Sequence, residues 1–133
     1  MKILLDTDIC IAILNHDERV RAQLERTVPS QLRMSAITLA ELRFGIAKSN
    51  AGRRATSNLR VLLSRVGVVP FDTDATGEYG RLRELLERRG SPIGPLDTLI
   101  AAHALSLRWA LASHNAKEFR RVPGLRVIDW LSG

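Results

Sequence analysis

Short apolar stretches alternate along this chain with longer segments in which apolar residues recur at helical spacing. The short stretches have a length that suits buried strands, and polar residues that can cap helices follow them. They predict strands at residues 2–5, 33–36, 67–71, 109–113 and 126–128. Because helical segments separate the strands, the pattern predicts parallel pairing with helices on both faces. The expected fold class is therefore α/β, with three layers (α/β/α) around a central, mostly parallel sheet of four to five strands.

The helical segments begin and end at capping and breaking residues. Thr7 and Asp8 are expected to cap a first helix, and Asp17 is expected to cap a second. The inward face of the second helix should extend to Val28, before Pro29 stops it. Further helices are predicted at about 38–48, after Gly52, from the cap at 72–74 to Arg89, at 96–107 and at 117–119, with the clearest loop at 90–95.

The composition is that of an ordinary globular domain. Of 133 residues, 45% are hydrophobic and 26% are charged, which excludes a disordered or fibrous chain. The length predicts one domain over residues 1–133. The lone cysteine, Cys10, excludes an internal disulfide and favours a reducing cytoplasm. No segment reaches the roughly 18 apolar residues that a membrane span needs, so no membrane association is expected.

The charge is uneven along the chain. The net charge is +6, and the stretch between Glu41 and Asp72 contains no acidic residue. Its basic residues are Arg43, Lys48, Arg53, Arg54, Arg60 and Arg65. Such a stretch attracts polyanions such as RNA or DNA. A solvated, arginine-rich helix pair is the alternative explanation, and the charge alone does not decide between them.

Three carboxylates lie within or at the ends of apolar segments that are expected to form the core. Asp6 ends the first predicted strand, Glu41 lies in an apolar stretch, and Asp97 opens a nearly all-apolar helix. A carboxylate at the edge of a core is costly unless positive charge meets it. In parallel sheets, ligands bind beyond the carboxyl ends of the strands. The three residues therefore predict a shared divalent cation, and oxygen donors suit magnesium.

Each carboxylate also has a structural explanation. Glu41 follows Thr38 at the spacing of a capping box, in which the two residues cap one helix reciprocally. Asp97 could complement the positive end of its helix dipole. Asp6 could cap the helix that follows it, and Asp8 is left to that capping role. Three separate capping residues would not need to converge on one edge of the sheet, so the joint pattern favours the cation.

Four segments match a known family in order and spacing. They are residues 4–9 (LLDTDI), 38–46 (TLAELRFGI), 92–104 (PIGPLDTLIAAHA) and 111–125 (LASHNAKEFRRVPGL). With these segments the chain resembles the PIN-domain ribonucleases, and more narrowly the VapC toxins of bacterial toxin–antitoxin pairs. The resemblance covers essentially the whole chain and implies a single PIN domain.

The resemblance implies a set of site residues. Asp6, Glu41 and Asp97 would be acidic catalytic residues and metal ligands, with Asp6 and Asp97 the surest ligands. The fourth catalytic position, an Asp or Asn in these families, falls on Asn115. Ser113 occupies the nearby hydroxyl position and is assigned to substrate binding.

Other positions bear on the substrate. Arg43 and Lys48, from the basic stretch, are assigned to RNA binding. Asp8, Leu96 and His114 each stand where the family commonly has Asn. The extra carboxylate adds charge to the site, and the other two departures concern details of substrate contact. Whether His114 touches the substrate stays open.

The implied activity is cleavage of RNA phosphodiester bonds by a Mg²⁺-dependent endoribonuclease, with Mn²⁺ as a substitute. The implied partners are RNA, a VapB-like antitoxin that occupies the active-site groove, and a second copy of the chain in a homodimer. Two alternatives are a PIN-type nuclease in RNA processing without a toxin role and a non-catalytic nucleic-acid-binding module. His103, in a buried helix, is interpreted as a core residue.

Overall fold

The structure is a computed structural model that describes residues 1–131, and its central sheet has five parallel strands. The strands are β1 (Ile3–Leu5), β2 (Leu32–Ser35), β3 (Gly67–Val69), β4 (Ala110–Ala112) and β5 (Val127–Ile128). Their order across the sheet is β3-β2-β1-β4-β5. At the carboxyl end of β1, Leu5 pairs with Met34 on one side and with Ala112 on the other. The predicted sheet is confirmed, and it is parallel throughout.

Helices connect the strands and cover both faces of the sheet. They are α1 (Thr7–Leu14), α2 (Glu18–Glu25), α3 (Ala36–Lys48), α4 (Gly52–Arg65), α5 (Thr73–Arg88), α6 (Pro95–Leu107) and α7 (Ala116–Phe119), with a 3₁₀ turn at Pro29–Gln31. Within residues 1–131, none of the helices is long and apolar enough to cross a membrane.

The second helix is shorter than predicted. It ends at Glu25, and Val28 is extended and 57% exposed rather than facing inward. The residue before a proline is pushed out of helical conformation by the proline ring, so Pro29 already acts on Val28.

The alternation of side chains along the strands divides the core into two layers. Leu5 faces one side of the sheet, where it belongs to a cluster with Leu42 of α3 and Leu59 of α4. Leu4 faces the other side, in a cluster with Ile100 of α6. Successive residues of a strand point to opposite faces, so every central strand contributes to both layers. The predicted three-layer α/β/α architecture is confirmed.

The strand order fixes where a ligand can bind. From β1 the chain first adds β2 and β3 on one side, and it later adds β4 and β5 on the other. The order therefore reverses between β1 and β4, and a crevice opens beyond the carboxyl ends of these two strands. The residues that immediately follow them are Asp6 and Ser113.

Two buried polar side chains from distant parts of the chain, His103 and Ser35, contact each other. His103 is 1% exposed, its Nδ1 lies 2.9 Å from Ser35 Oγ, and its ring meets Phe71 edge to face at 5.2 Å. The prediction that His103 is a core residue is confirmed. Ser35 also caps α3, since its Oγ accepts a hydrogen bond of 3.0 Å from the N–H of Ile37.

Substitution of Ser35 by alanine is expected to lower the free energy of unfolding by about 1–2 kcal/mol, because it removes a helix cap and the partner of a buried imidazole. Urea denaturation followed by circular dichroism measures this loss. Ser64→Ala, at an exposed position of α4, is the control and should change stability by less than about 0.5 kcal/mol. Equal effects of the two variants would contradict the assignment.

Candidate active site

Asp6 lies at the junction of β1 and α1 and is 4% exposed. Its Oδ1 accepts a hydrogen bond of 2.8 Å from the N–H of Thr7, and its Oδ2 accepts one of 2.8 Å from Ser113 Oγ. Asp6 is therefore the N-cap of α1, and the prediction that Thr7 and Asp8 cap this helix is wrong. The helix begins directly after the strand, so Thr7 and Asp8 already lie in its first turn.

The surroundings of Asp6 disfavour its charged form. Burial, and after it the negative charge of Asp8, raises the pKa of Asp6 to about 7, although the bonds from Ser113 and Thr7 act in the opposite direction. Capping a helix would by itself favour the carboxylate. Capping alone therefore does not account for an acid held in this environment.

Glu41 reaches the same place from α3. Because Ser35 caps α3, Thr38 lies inside the helix, and the capping box considered for Thr38 and Glu41 does not form. Glu41 Oε1 instead accepts a hydrogen bond of 2.7 Å from Thr7 Oγ1. This bond ties Glu41 to the first turn of α1, beside Asp6.

Asp97 reaches the cleft from the first turn of α6, and it is half-buried. Burial is the largest cause that raises its pKa, followed by the negative charges of Glu118, Glu41 and Asp8. A helix dipole acting alone would lower this pKa. Burial, together with the neighbouring carboxylates, therefore outweighs the effect of the dipole on the pKa of Asp97.

Two further acids belong to this group: Asp8, whose charge the resemblance assigned to the site, and Glu118, which the sequence analysis did not consider. Asp8 does not cap α1. Its Oδ2 accepts a hydrogen bond of 3.1 Å from the N–H of His114, and its buried Oδ1 has no hydrogen-bond partner within residues 1–131. Glu118, on α7, accepts a bond of 3.1 Å from Asn115 Nδ2 and acts on Asp97. The spacing of three between Asn115 and Glu118, which puts them on one side of a helical turn, was the available signal.

Ser113, which was predicted to bind substrate, makes its contacts inside the protein. It is completely buried, its hydroxyl donates to Asp6 Oδ2, and its Oγ accepts a bond of 2.9 Å from the N–H of Asn115. It therefore orients Asp6 and Asn115 and is not accessible to a substrate. Arg43 and Lys48 are exposed on α3, outside the lining of the cleft, and Lys48 Nζ lies 5.4 Å from the centroid of the Phe44 ring.

An open cleft gathers the predicted catalytic residues. Its lining consists of Asp6, Thr7, Asp8, Ile11, Glu41, Asp97, His114 and Asn115. Apart from Ile11 and His114, these side chains present oxygen atoms, the donor type that Mg²⁺ and Mn²⁺ prefer. Within residues 1–131, no three His, Cys, Asp or Glu side chains already stand at the mutual distances of a metal-ligand set. The donors and the unpaired Asp8 Oδ1 nevertheless suit a hard cation, which keeps several waters and needs only one or two direct carboxylate ligands.

Comparison with known proteins identifies the family. The model of the PIN domain matches residues 3–125. The chain belongs to the PIN-domain family. This PIN domain is 39% identical to the tRNA(fMet)-specific endonuclease VapC of Salmonella typhimurium, over 131 residues and 98% of each chain. It is 37% identical, with the same coverage, to the tRNA(fMet)-specific endonuclease VapC of Shigella flexneri.

Solved structures agree with this assignment. The PIN domain superposes with a TM-score of 0.93 on a chain of the crystal structure of VapBC2 from Rickettsia felis bound to a DNA fragment from their promoter, at 37% identity, over 98% of this chain and 99% of that chain. The resemblance to PIN-domain proteins of the VapC type is thereby confirmed, and so is the PIN-like fold class.

Proposed function

We propose that this PIN domain is a Mg²⁺-dependent endoribonuclease and the toxin of a VapBC-type toxin–antitoxin pair. The observation that supports this most is the convergence of Asp6, Glu41 and Asp97, from three distant parts of the chain, on one cleft at the reversal of strand order. A non-catalytic nucleic-acid-binding module would have no use for partly desolvated carboxylates that repel phosphate.

The side chains of the cleft divide into ligands and groups that orient them. Asp6 and Asp97 would hold the cation, with Glu41 as a further ligand or as the residue that positions water. A bound Mg²⁺ or Mn²⁺ supplies positive charge at the scissile phosphate and lowers the pKa of a water molecule. Ser113 fixes Asp6 through Oδ2, and Thr7 fixes Glu41 through Oε1.

Proton transfer is assigned to Glu41, and the positioning of the attacking water is assigned to Asn115. Held through Oε1, Glu41 can accept a proton from the attacking water at Oε2. Asn115 Nδ2 donates a hydrogen bond to Glu118. Asn115 Oδ1 can therefore accept a hydrogen bond from the same water. A general base must lie within hydrogen-bond reach of the proton that it accepts, directly or through one water.

Cleavage assays with purified protein test this proposal. Because two relatives at 39% and 37% identity are named for tRNA(fMet), we propose this tRNA as the first substrate, beside total cellular RNA. Wild type in Mg²⁺ should produce discrete fragments, and Asp97→Asn prepared in parallel should not. Absence of RNA cleavage by wild type, or equal cleavage by the variant, would contradict the function.

The toxin role and the partners need separate experiments. A VapB-like antitoxin is proposed because the similar solved structure is a VapBC complex. Expression of the chain alone in a bacterial cytoplasm should arrest growth, and co-expression of a small neighbouring reading frame should relieve the arrest. Cleavage without growth arrest would favour the RNA-processing alternative. Light scattering coupled to size exclusion tests the proposed homodimer.

The basic stretch is proposed to contact the RNA backbone. Its basic residues are exposed, and within the described part of the chain none of them has an ion-pair partner. Arg53→Gln with Arg54→Gln is expected to weaken RNA binding about three- to tenfold at low salt and to flatten its salt dependence, because about two phosphate contacts are lost. Fluorescence anisotropy over a salt series measures both quantities.

A matched control for this pair lies on the other face of the sheet. Arg83 and Arg88 of α5 form ion pairs with Glu87 and Glu84, so their replacement by glutamine should leave the salt dependence unchanged. Unchanged binding by the Arg53 and Arg54 variant would show that residues 53–54 face away from the RNA.

A further inference from the structure

His114 stands at the rim of the cleft with its ring open to solvent. It lines the same cleft as Asp6 and Asp97, and its side chain is 58% exposed. Its backbone is held in place, because its N–H donates to Asp8 Oδ2 at 3.1 Å. An exposed ring on a fixed backbone beside the acids can meet whatever enters the cleft.

The His114 ring lies beside the carboxylate of Asp129. His114 Nδ1 lies 3.5 Å from Asp129 Oδ1, and that oxygen also accepts a hydrogen bond of 2.9 Å from the N–H of Leu131. The Asp129 carboxylate is 19% exposed and is therefore fixed in position. A carboxylate oxygen beside Nδ1 favours the tautomer that has its hydrogen on this nitrogen, and in that tautomer Nε2 carries a lone pair and accepts hydrogen bonds.

A hydrogen-bond acceptor at this position binds those groups of a nucleic acid that donate a hydrogen bond. Phosphate oxygens only accept hydrogen bonds, so they do not complement a neutral Nε2. The 2′-hydroxyl of ribose donates, and it lies on the carbon next to the one that bears the 3′-oxygen of the phosphodiester. It is also the group by which a protein distinguishes RNA from DNA.

We propose that His114 Nε2 accepts a hydrogen bond from the ribose 2′-hydroxyl next to the scissile phosphate and thereby makes the cleft selective for RNA. The inference rests on the proposed function, because it assumes that a phosphodiester binds at Asp6 and Asp97. It adds a substrate-contacting residue at a position where the resembling family commonly has asparagine.

A thermodynamic cycle between enzyme and substrate tests the contact. After the cut in tRNA(fMet), or in total cellular RNA, has been mapped, a synthetic RNA across it is made in three forms. One is all-ribose, one has a 2′-fluoro group at the nucleotide 5′ of the cut, and one has it several nucleotides away. The 2′-fluoro group keeps the ribose-like pucker but cannot donate. Wild type should lose about three- to tenfold in kcat/KM on the second form, and His114→Ala should lose as much on all-ribose RNA and nothing more on the second form.

Two further variants distinguish the roles of the two ring nitrogens of His114. The amide of His114→Gln falls near the position of Nε2, so this variant should keep part of the sensitivity to the 2′-fluoro group. The amide of His114→Asn falls near Nδ1, so this variant should behave like His114→Ala. Lys117→Ala, an exposed neighbour on α7, is the control and should retain the full wild-type penalty.

The possible failures are distinguishable. If wild type cuts RNA but His114→Ala keeps the full 2′-fluoro penalty, the contact is wrong and the nuclease proposal is unaffected. The same holds if the penalty is absent in wild type, which would mean that His114 meets a phosphate or a base instead. If wild type cuts no RNA at all, both the proposed function and this inference are overturned.

Discussion

Asp97→Asn is expected to reduce RNA cleavage about a hundredfold or more without unfolding the protein. Asparagine keeps the shape of the side chain but removes a charge that would hold the cation and, through it, stabilise the developing charge on the phosphate. The same loss is expected for Asp6→Asn. Asparagine is as good an N-cap as aspartate, and its Oδ1 can keep the bond from the N–H of Thr7, so the start of α1 should be preserved. Its Nδ2 then faces Ser113 Oγ, which can accept a hydrogen bond from it. Initial rates on a labelled RNA in Mg²⁺ measure the loss.

Thermal unfolding separates this effect from misfolding. Both wild-type carboxylates are disfavoured by burial and by neighbouring charge, so the cation-free variants should melt at or above the wild-type temperature. Asp74→Asn, an exposed first-turn acid of α5, should alter neither activity nor melting by much. Wild-type cleavage rates in Asp97→Asn would overturn the assignment of this residue.

Removal of divalent cations with EDTA is expected to abolish cleavage, and Mg²⁺ or Mn²⁺ should restore it. Without a cation, the carboxylates of the cleft would repel the phosphate that they must bind. The cation should also stabilise the fold, raising Tm by roughly 5–10 °C when its concentration is about 100 times Kd. The control is Asp97→Asn, in which most of the shift in Tm should disappear. Cleavage that continues in excess EDTA would contradict the metal-dependent mechanism.

The pH dependence follows from Asp6, whose pKa is raised from 3.8 to about 7 in the folded protein. The folded state therefore holds this proton more tightly than the unfolded state does. The resulting stabilisation is fully present below about pH 3.8 and is lost as the pH rises through 7. The difference in unfolding free energy between wild type and Asp6→Asn isolates this contribution. Since the cation competes with the proton, its effect on Tm should be large at pH 8 and small at pH 5.

The sheet and the main site acids could be predicted because one rule governs both. Short buried strands separated by helices have to be parallel, and parallel strands bring the residues after them to one edge. The predicted end of β1 was therefore enough to place Asp6 at this edge of the sheet. Glu41 and Asp97 were placed by the resemblance together with their positions in apolar segments, and the structure brings them to the same cleft.

The details that failed depend on competition between neighbouring residues. Asp6, Thr7 and Asp8 can each cap a helix, and although β1 ends at Leu5 as predicted, the residue at which α1 begins decides among them. The same holds for Ser35 and Thr38 at the start of α3, where β2 ends one residue earlier than predicted. Sequence spacing gives no sign of such a shift, and one residue is enough to change which side chain meets the backbone.

The contacts of Asp8, Glu118 and Ser113 could not be predicted for a different reason. Their roles depend on contacts between segments far apart in sequence, as in the bond from the N–H of His114 to Asp8. Ser113 has the position expected from the family, but burial turns its hydroxyl toward Asp6. Motif position predicts where a residue lies, and packing decides what it touches.

The pairing of β1 with β4 determines when the cleft can assemble during synthesis. Asp6 and Ser113 are separated by 107 positions along the chain, and Asp97 and Asn115 also come from its last third. A growing polypeptide therefore carries Asp6 long before Asp97, Ser113 and Asn115 are made, and it cannot assemble the cleft until β4 has left the ribosome. A fragment that ends before β4 lacks Ser113 and Asn115 and therefore cannot form the complete cleft.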